Sequence, residues 1–263
     1  MKQVISMATI RGFSVMDSID VALKSGCGGI EIQTDYLPEE KSERDAVFAY
    51  AKQRGLYVSL HGPSSDINIS SLNRGICRES IRQIKEAIDL ARQYGVEKMT
   101  FHPGRLSSAR ENVQDKWRVL LDSVKEIADY ANQMEVHVGI ENMEKRKKEL
   151  VFTVEDLNRF AEPACGNSFF GVTLDFCHFA TNGIFQPKLE QLRLPVKNVH
   201  ISQCVDGKPH YALDKAGEID FADVMDMLER IDYTGSVTME IKSVFDDAVY
   251  TASRKVWEAY RER

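Results

Sequence analysis

The chain has 263 residues, of which 43% are hydrophobic and 28% are charged, and its formal net charge is −6. This length suits one barrel of eight strand–helix units, which typically has about 250 residues, so we expect a single domain over residues 1–263. The acidic balance provides no general attraction for nucleic acids or other polyanions. We expect neither a signal peptide nor a membrane span, because Ser6 and Thr9 interrupt the first apolar run and no run reaches about 18 residues. Five scattered cysteines without CxxC spacing indicate reduced thiols and a cytoplasmic protein.

Eight short apolar segments alternate with helical patterns along the chain. We predict strands over residues 4–9, 29–33, 56–61, 97–102, 136–141, 170–175, 196–202 and 236–241. The first four predicted helices lie over 14–24, over 38–54, between a loop over 62–75 and Gly95, and along an apolar stripe over 113–131. The fifth begins at Thr153 and the sixth lies over 187–192. After a long loop over 203–219, the last two lie around 224–231 and over 245–261. Alternating strands and helices imply a parallel sheet. Eight repeats of the unit predict an α/β fold, a single (β/α)8 TIM barrel.

A residue of metal-binding type lies at or near the end of seven predicted strands. These residues are Glu31, His61, His102, Glu141, Asp175, His200 and Glu240. In a parallel barrel, all strand ends of one polarity meet at one rim. Because a metal ion needs His and carboxylate side chains that converge on one point, this placement predicts a metal site at the carboxyl rim.

The parity of the strands supports this prediction, since alternate side chains of a strand face opposite ways. The residues two positions before the candidate ligands are small or polar, namely Gly29, Ser59, Thr100, Gly139, Thr173, Asn198 and Thr238. The residues between are apolar, namely Ile30, Leu60, Phe101, Ile140, Leu174, Val199 and Met239. We expect the first set inside the barrel beneath the site and the second set under the outer helices. Ligation rich in histidine favours zinc, manganese, iron or cobalt over magnesium.

Several segments resemble the xylose-isomerase-like barrel superfamily, which contains sugar isomerases and epimerases and the endonuclease IV family. They are GIEI, LHGPSSDINI, the run from Ser80 to Gly95, FHPG, GIEN, LDFCH, VHIS and MEI, and the resemblance covers nearly the whole chain. Resemblance to the sugar epimerases implies that the metal is held by Glu141, Asp175, His200 and Glu240. It also implies that His178 contacts the substrate.

We therefore expect a metal-dependent sugar or sugar-phosphate isomerase or epimerase that acts on a small polyhydroxylated substrate. Moving a hydrogen beside a sugar carbonyl creates an enediolate, whose negative oxygens a divalent cation stabilises. Glu141 and Glu240 are the two carboxylates that could remove and return the proton. The epimerases' further substrate-binding Glu and Arg have no match, because Lys147 and Asp206 stand at those positions, which argues against ketose epimerisation of that particular kind.

The alternative is an endonuclease IV-like phosphodiesterase or other hydrolase, or a related dehydratase. By resemblance, His61, His102, His178 and His210 match further metal ligands of endonuclease IV, and with Glu31 they are candidates for a second metal or for substrate binding. Two departures argue against a DNA substrate. Lys208 replaces a carboxylate of that family's third metal, and serines at 64 and 65 replace its DNA-intercalating residues. The sequence makes no prediction of oligomeric state.

Overall fold

The computed structural model describes residues 1–7, 14–242 and 246–262. Its ten strands are β1 (Lys2–Ser6), β2 (Gly29–Gln33), β3 (Tyr57–His61), β4 (Lys98–Phe101), β5 (His137–Glu141), β6 (Phe170–Asp175), β7 (Val196–Ile201), β8 (Gln203–Val205), β9 (Lys208–Tyr211) and β10 (Ser236–Met239). Strands β1 to β7 and β10 pair in parallel, and β1 pairs with both β2 and β10, which closes the ring. The prediction of a (β/α)8 TIM barrel is confirmed.

The described residues form eight α-helices in addition to the barrel strands. They are α1 (Val15–Lys24), α2 (Lys41–Gln53), α3 (Arg74–Tyr94), α4 (Val113–Met134), α5 (Val154–Asn158), α6 (Phe176–Thr181), α7 (Phe221–Arg230) and α8 (Asp247–Arg261). Local chemistry explains several of their ends. Thr153 and Asp156 form a capping box at the start of α5, and Gly95 ends α3 with a left-handed φ of 68°.

The packing confirms the predicted parity of the strands. Ile30, Leu60 and Ile140 have no exposed surface and belong to the hydrophobic core under the helices. Inside the barrel, Thr100 Oγ1 lies 2.9 Å from Thr173 Oγ1, and Asn198 Nδ2 donates to Thr100 Oγ1 at 3.3 Å. These polar contacts form a layer below the carboxyl rim.

Two predictions of secondary structure are wrong. The helix predicted over 187–192 is only a 3₁₀ turn, Leu189–Gln191, while the unforeseen α6 follows β6 directly. The loop predicted over 203–219 contains the hairpin β8–β9, which turns at Asp206 and Gly207 with φ of 51° and 68°. An Asp-Gly pair is a strong hairpin signal, so this element was readable from the sequence. Thr9 of the first predicted strand and Phe245 of the last predicted helix lie outside the described residues.

Among the helices that the structure describes, none has both the length and the apolar character needed to cross a bilayer.

Candidate functional site

The seven strand-end candidates lie on one end of the barrel, as the sequence predicts. His61, Glu141 and Asp175 are the last residues of their strands, His102 and Glu240 directly follow theirs, and Glu31 and His200 lie within β2 and β7. His178 is added by α6 and His210 by β9. All are buried except His102, which is partly exposed.

Four side chains form a central donor group around the imidazole of His200. Its Nδ1 lies 3.0 Å from Glu141 Oε1 and 2.9 Å from Glu240 Oε2. Asp175 completes the group, whose ligand atoms all lie within 4.8 Å of one another. Within the described residues, Asp175 Oδ2 is buried without a hydrogen-bond partner, and the nearest polar contacts of Glu141 Oε2 and Glu240 Oε2 are histidine nitrogens. Burying a carboxylate oxygen unpartnered is costly, so the group fits a bound cation.

A second donor group shares Glu141 with the first. His102 Nε2 lies 3.2 Å and His61 Nε2 lies 3.7 Å from Glu141 Oε2, and the ligand atoms of the three residues lie within 4.8 Å of one another. The two oxygens of Glu141 therefore face different partners, Oε1 towards His200 and Oε2 towards the two histidines. One carboxylate is thus placed to bridge two ligand positions.

A third donor group contains Glu144, His178 and His210. His178 Nδ1 lies 2.8 Å from the backbone oxygen of Asn142, which leaves Nε2 as the free ligand atom. His210 has a left-handed φ of 69°, and its Nδ1 lies 3.1 Å from the Glu240 backbone oxygen. Lys208, at the position of the expected carboxylate, is exposed. Glu144, which the sequence analysis did not predict, supplies a carboxylate from the loop after β5 instead.

Glu31 is in none of these donor groups within the described part of the chain. It is fully buried, and its Oε2 lies 2.9 Å from Asn198 Nδ2 and 3.1 Å from His200 Nε2. It therefore contacts the ring nitrogen of His200 that faces away from Glu141 and Glu240. A carboxylate in this position fixes the tautomer and orientation of a ligating histidine.

The start of α6 orients Asp175 and His178 together. Asp175 is the N-cap, and its Oδ1 accepts from the His178 backbone N–H at 2.8 Å, which leaves Oδ2 free. The Asn142 amide holds the backbone of Asp175 from both sides, accepting from its N–H at 2.8 Å and donating to its oxygen at 2.9 Å. A helix that begins directly at a strand end is thus part of the site.

The buried ionisable groups strongly shift one another's pKa values. Burial alone would raise the pKa of Glu141, but the charge of His200 and hydrogen bonds from His102 and His200 hold it well below its usual range. Burial raises the pKa of Asp175 to about 7, against the lowering effect of the His178 charge. Burial opposes the charged form of His61, but the hydrogen bond to Glu141 and the charge of Glu31 raise its pKa to about 9. Without a cation, the site therefore holds protons at neutral pH.

A cavity of about 250 Å³ opens above the donor groups. Its lining includes Ser64, Asn68, His102, Arg105, Glu144, Arg146, His178, His210 and Glu240. A small substrate in it would touch donor atoms on one side and polar loop residues on the other.

Residues 19–260 match the sequence profile of a family described as xylose isomerase-like TIM barrel. The chain belongs to the xylose isomerase-like TIM barrel family. An uncharacterised protein of Methanocaldococcus jannaschii is 28% identical to this family member over 188 residues, which are 70% of this chain and 66% of the relative.

Solved structures of similar shape cover the whole chain. A D-tagatose 3-epimerase-like protein has a TM-score of 0.88 and 22% identity, over 100% of this chain and 97% of that one. D-psicose 3-epimerase with D-tagatose, from Clostridium cellulolyticum H10, has a TM-score of 0.80 and 18% identity, over 99% of each chain. The IOLI protein with a binding zinc atom has a TM-score of 0.81 and 18% identity, over 100% of this chain and 99% of that one. At these identities the likeness establishes the fold.

Proposed function

We propose that this protein is a divalent-metal-dependent isomerase or epimerase of a small sugar or sugar phosphate, which transfers a proton next to a carbonyl. The observation that carries the proposal is the central donor group, in which Glu141 and Glu240 lie 3.0 Å and 2.9 Å from the same His200 nitrogen. The names of the structural neighbours, two of which are 3-epimerases or like them, support the same class. The zinc atom of a third neighbour agrees with zinc among the expected metals, with manganese, iron and cobalt as the others.

In the proposed reaction, the residues of this chain bind, orient and move a proton. Glu141, Asp175, His200 and Glu240 would hold the cation, which supplies electrostatic stabilisation for the negative oxygens of an enediolate. One of Glu141 and Glu240 removes the proton next to the carbonyl, and the other returns a proton to the opposite face of that carbon. His178, with its unpartnered Nε2 beside the cavity, orients a substrate hydroxyl.

The test is solvent exchange at the carbon next to the carbonyl. In deuterated water, one member of a panel of keto- and aldo-sugars and their phosphates should gain deuterium there, as followed by proton NMR. Glu141→Gln and Glu240→Gln should each lower the rate by roughly 10²–10⁴-fold, the usual contribution of a general acid or base. Glu126→Gln is the matched control, because Glu126 is an exposed residue of α4 that pairs with Lys85.

Metal content of each variant, measured by mass spectrometry, separates loss of the proton-transfer group from loss of the cation. A glutamine variant that retains its metal and loses exchange supports the proton-transfer role. An ester cleaved, or a dehydrated acid formed, by the wild-type protein would replace the isomerase proposal with the hydrolase or dehydratase alternative.

The second and third donor groups favour one alternative, a multinuclear hydrolase of the endonuclease IV type. Several metal ions held by one site suit the attack of a bound water on a phosphodiester. Ser64 and Ser65 in place of intercalating residues argue against a DNA substrate. We expect an abasic duplex to stay uncut by the zinc- or manganese-loaded protein, and efficient incision that Glu141→Gln abolishes would reverse the order of the two proposals.

A further inference from the structure

The amino end of the barrel, opposite the donor groups, carries basic side chains around a second cavity. Lys98 opens β4, His137 opens β5, and Lys197 is the second residue of β7. The cavity has a volume of about 740 Å³, and its lining also includes Leu189, Leu192, Leu194, Pro195, Arg230 and Tyr233. This volume lies within the range of about 300–1,000 Å³ typical of small-molecule sites. None of these residues belongs to the proposed metal site.

The ammonium groups of Lys98 and Lys197 form hydrogen bonds only with neutral groups in the described residues. Lys98 Nζ donates to the Lys197 backbone oxygen at 3.0 Å and to Ser236 Oγ at 3.3 Å. Lys197 Nζ donates to the Ser168 backbone oxygen at 2.7 Å and to His137 Nδ1 at 3.1 Å. In the described ranges, neither ammonium forms a salt bridge within 4.0 Å. Both side chains are half-buried, so two positive charges lie close together with no carboxylate of the described residues in direct contact. The carboxylate of the exposed Glu97, which precedes Lys98, acts on Lys98 and His137 only through its charge.

His137 adds a neutral donor beside the lysines. Since its Nδ1 accepts from Lys197, its Nε2 carries the ring proton. Burial and the charges of Lys197 and Lys98 lower the His137 pKa, which keeps the ring neutral. The ring stacks on Phe169 with the centroids 4.8 Å apart, which fixes its plane.

Gly171 leaves room for the Lys197 side chain at the amino end of the barrel. A Cβ on Gly171 would lie 2.1 Å from the Pro195 backbone oxygen and 2.9 Å from Lys197 Cγ. Any side chain on β6 at this point would therefore displace the lysine stem. Lys197 is consequently held in place by backbone geometry as well as by its hydrogen bonds.

We propose that this basal cavity binds a phosphate-bearing small molecule, with its phosphate held by Lys98, Lys197 and His137. A phosphate offers a double negative charge and at least three acceptor oxygens, which match two ammoniums and one ring N–H from three strands. A carboxylate has one charge and two oxygens and would leave part of the cluster unsatisfied. The leucines provide an apolar wall for the remainder of the molecule. Glu190 and Asp232 border the mouth, where both are exposed.

The first test is direct binding of inorganic phosphate to the purified protein, measured by calorimetry, with acetate at equal ionic strength for comparison. Phosphate should bind at least tenfold more tightly than acetate. The Asp175→Asn/His200→Ala double variant should bind phosphate as the wild type does, because those residues lie at the other end of the barrel. Equal binding of acetate, or loss of phosphate binding in that double variant, would overturn the proposal.

Variants of the cavity then locate the bound ion. Lys197→Met keeps the apolar stem and removes the charge, and it should weaken phosphate binding about tenfold or more, as expected for a charge-assisted hydrogen bond. Lys125→Met is the matched control, because Lys125 is an exposed lysine that already pairs with Asp129. Arg230→Gln, at the exposed mouth, tests the same cavity without disturbing the floor and should weaken binding by about two- to fivefold. Binding that neither Lys197→Met nor Arg230→Gln changes would place the ion elsewhere and refute the site.

Discussion

Replacing Glu31 by alanine should weaken binding of a divalent metal by about 10–100-fold, the usual effect of removing a carboxylate that orients a ligating histidine. The contact that would be lost is the 3.1 Å approach of Glu31 Oε2 to His200 Nε2. The same oxygen also accepts from Asn198 Nδ2 at 2.9 Å, so alanine removes the acceptor of two buried donors, although Asn198 Nδ2 keeps its bond to Thr100 Oγ1. That should cost about 1–3 kcal/mol of folding free energy for a donor left unpartnered, which a urea titration would measure separately.

Glu31→Gln is the matched comparison for this prediction. A glutamine oxygen can still accept from His200 and Asn198, so its metal affinity should lie between those of the wild type and the alanine variant. The charge of Glu31 also helps to raise the pKa of His200 well above its usual value, against the lowering effect of burial. Without the charge of Glu31, the His200 pKa should fall, so the metal displaces the His200 proton more easily at low pH. The loss of metal affinity relative to the wild type should therefore be smallest at low pH and grow as the pH rises.

The assay is competition with a chelator of known affinity, at several pH values, with ¹⁵N NMR of the His200 ring as an independent readout of its tautomer. The wild type should show a protonated Nε2 when metal is bound, and Glu31→Ala should not enforce that tautomer. Wild-type affinity and an unchanged tautomer in Glu31→Ala would show that Glu31 does not orient His200.

Three further outcomes are expected. The Asp175→Asn/His200→Ala variant should lose tight binding of the central ion while keeping the circular dichroism spectrum of the wild type; unchanged metal stoichiometry would rule out this site. Metal uptake should release protons, because burial raises the Asp175 pKa to about 7 and the His61 pKa rises to about 9 through Glu141 despite burial. The apparent affinity for the metal should therefore rise up to roughly tenfold per pH unit for each proton displaced. Calorimetry in buffers of different ionisation enthalpy measures the protons released on metal binding, and no release would contradict this prediction. Gly139→Ala should destabilise the barrel by about 1–3 kcal/mol through overpacking, because its Cβ would lie 2.3 Å from Thr173 Oγ1; an unchanged urea midpoint would contradict this.

The barrel was predictable from sequence because strand parity and strand-end residues repeat in phase. Glu141 and Asp175 occupy the last positions of β5 and β6, as predicted. The same signal could not find Glu144, because Glu144 lies in a loop whose path depends on packing rather than on a period. It also could not find α6, whose six residues are too few to show a helical period.

The role of Glu31 shows a different limit of the sequence. Its strand position gave it inward parity, but parity does not specify height along the barrel axis. In the pairing of β2 with β3, Glu31 lies opposite Ser59, whereas Gln33 lies opposite His61. Glu31 is therefore one layer below the ligand layer, level with the polar residues beneath the site. Only the register of the closed sheet reveals that it supports His200 from below.

Glu141 has a special position because its two oxygens face different donor groups. Oε1 lies 3.0 Å from His200 and Oε2 lies 3.2 Å from His102. A change at Glu141 therefore affects both groups, while a change at His102 affects only the second. Isomerisation in the proposed form needs only the central group, whereas multinuclear hydrolysis needs both. The hydrolase proposal thus requires His61 and His102, whereas the isomerase proposal does not, although both proposals use every residue of the central site.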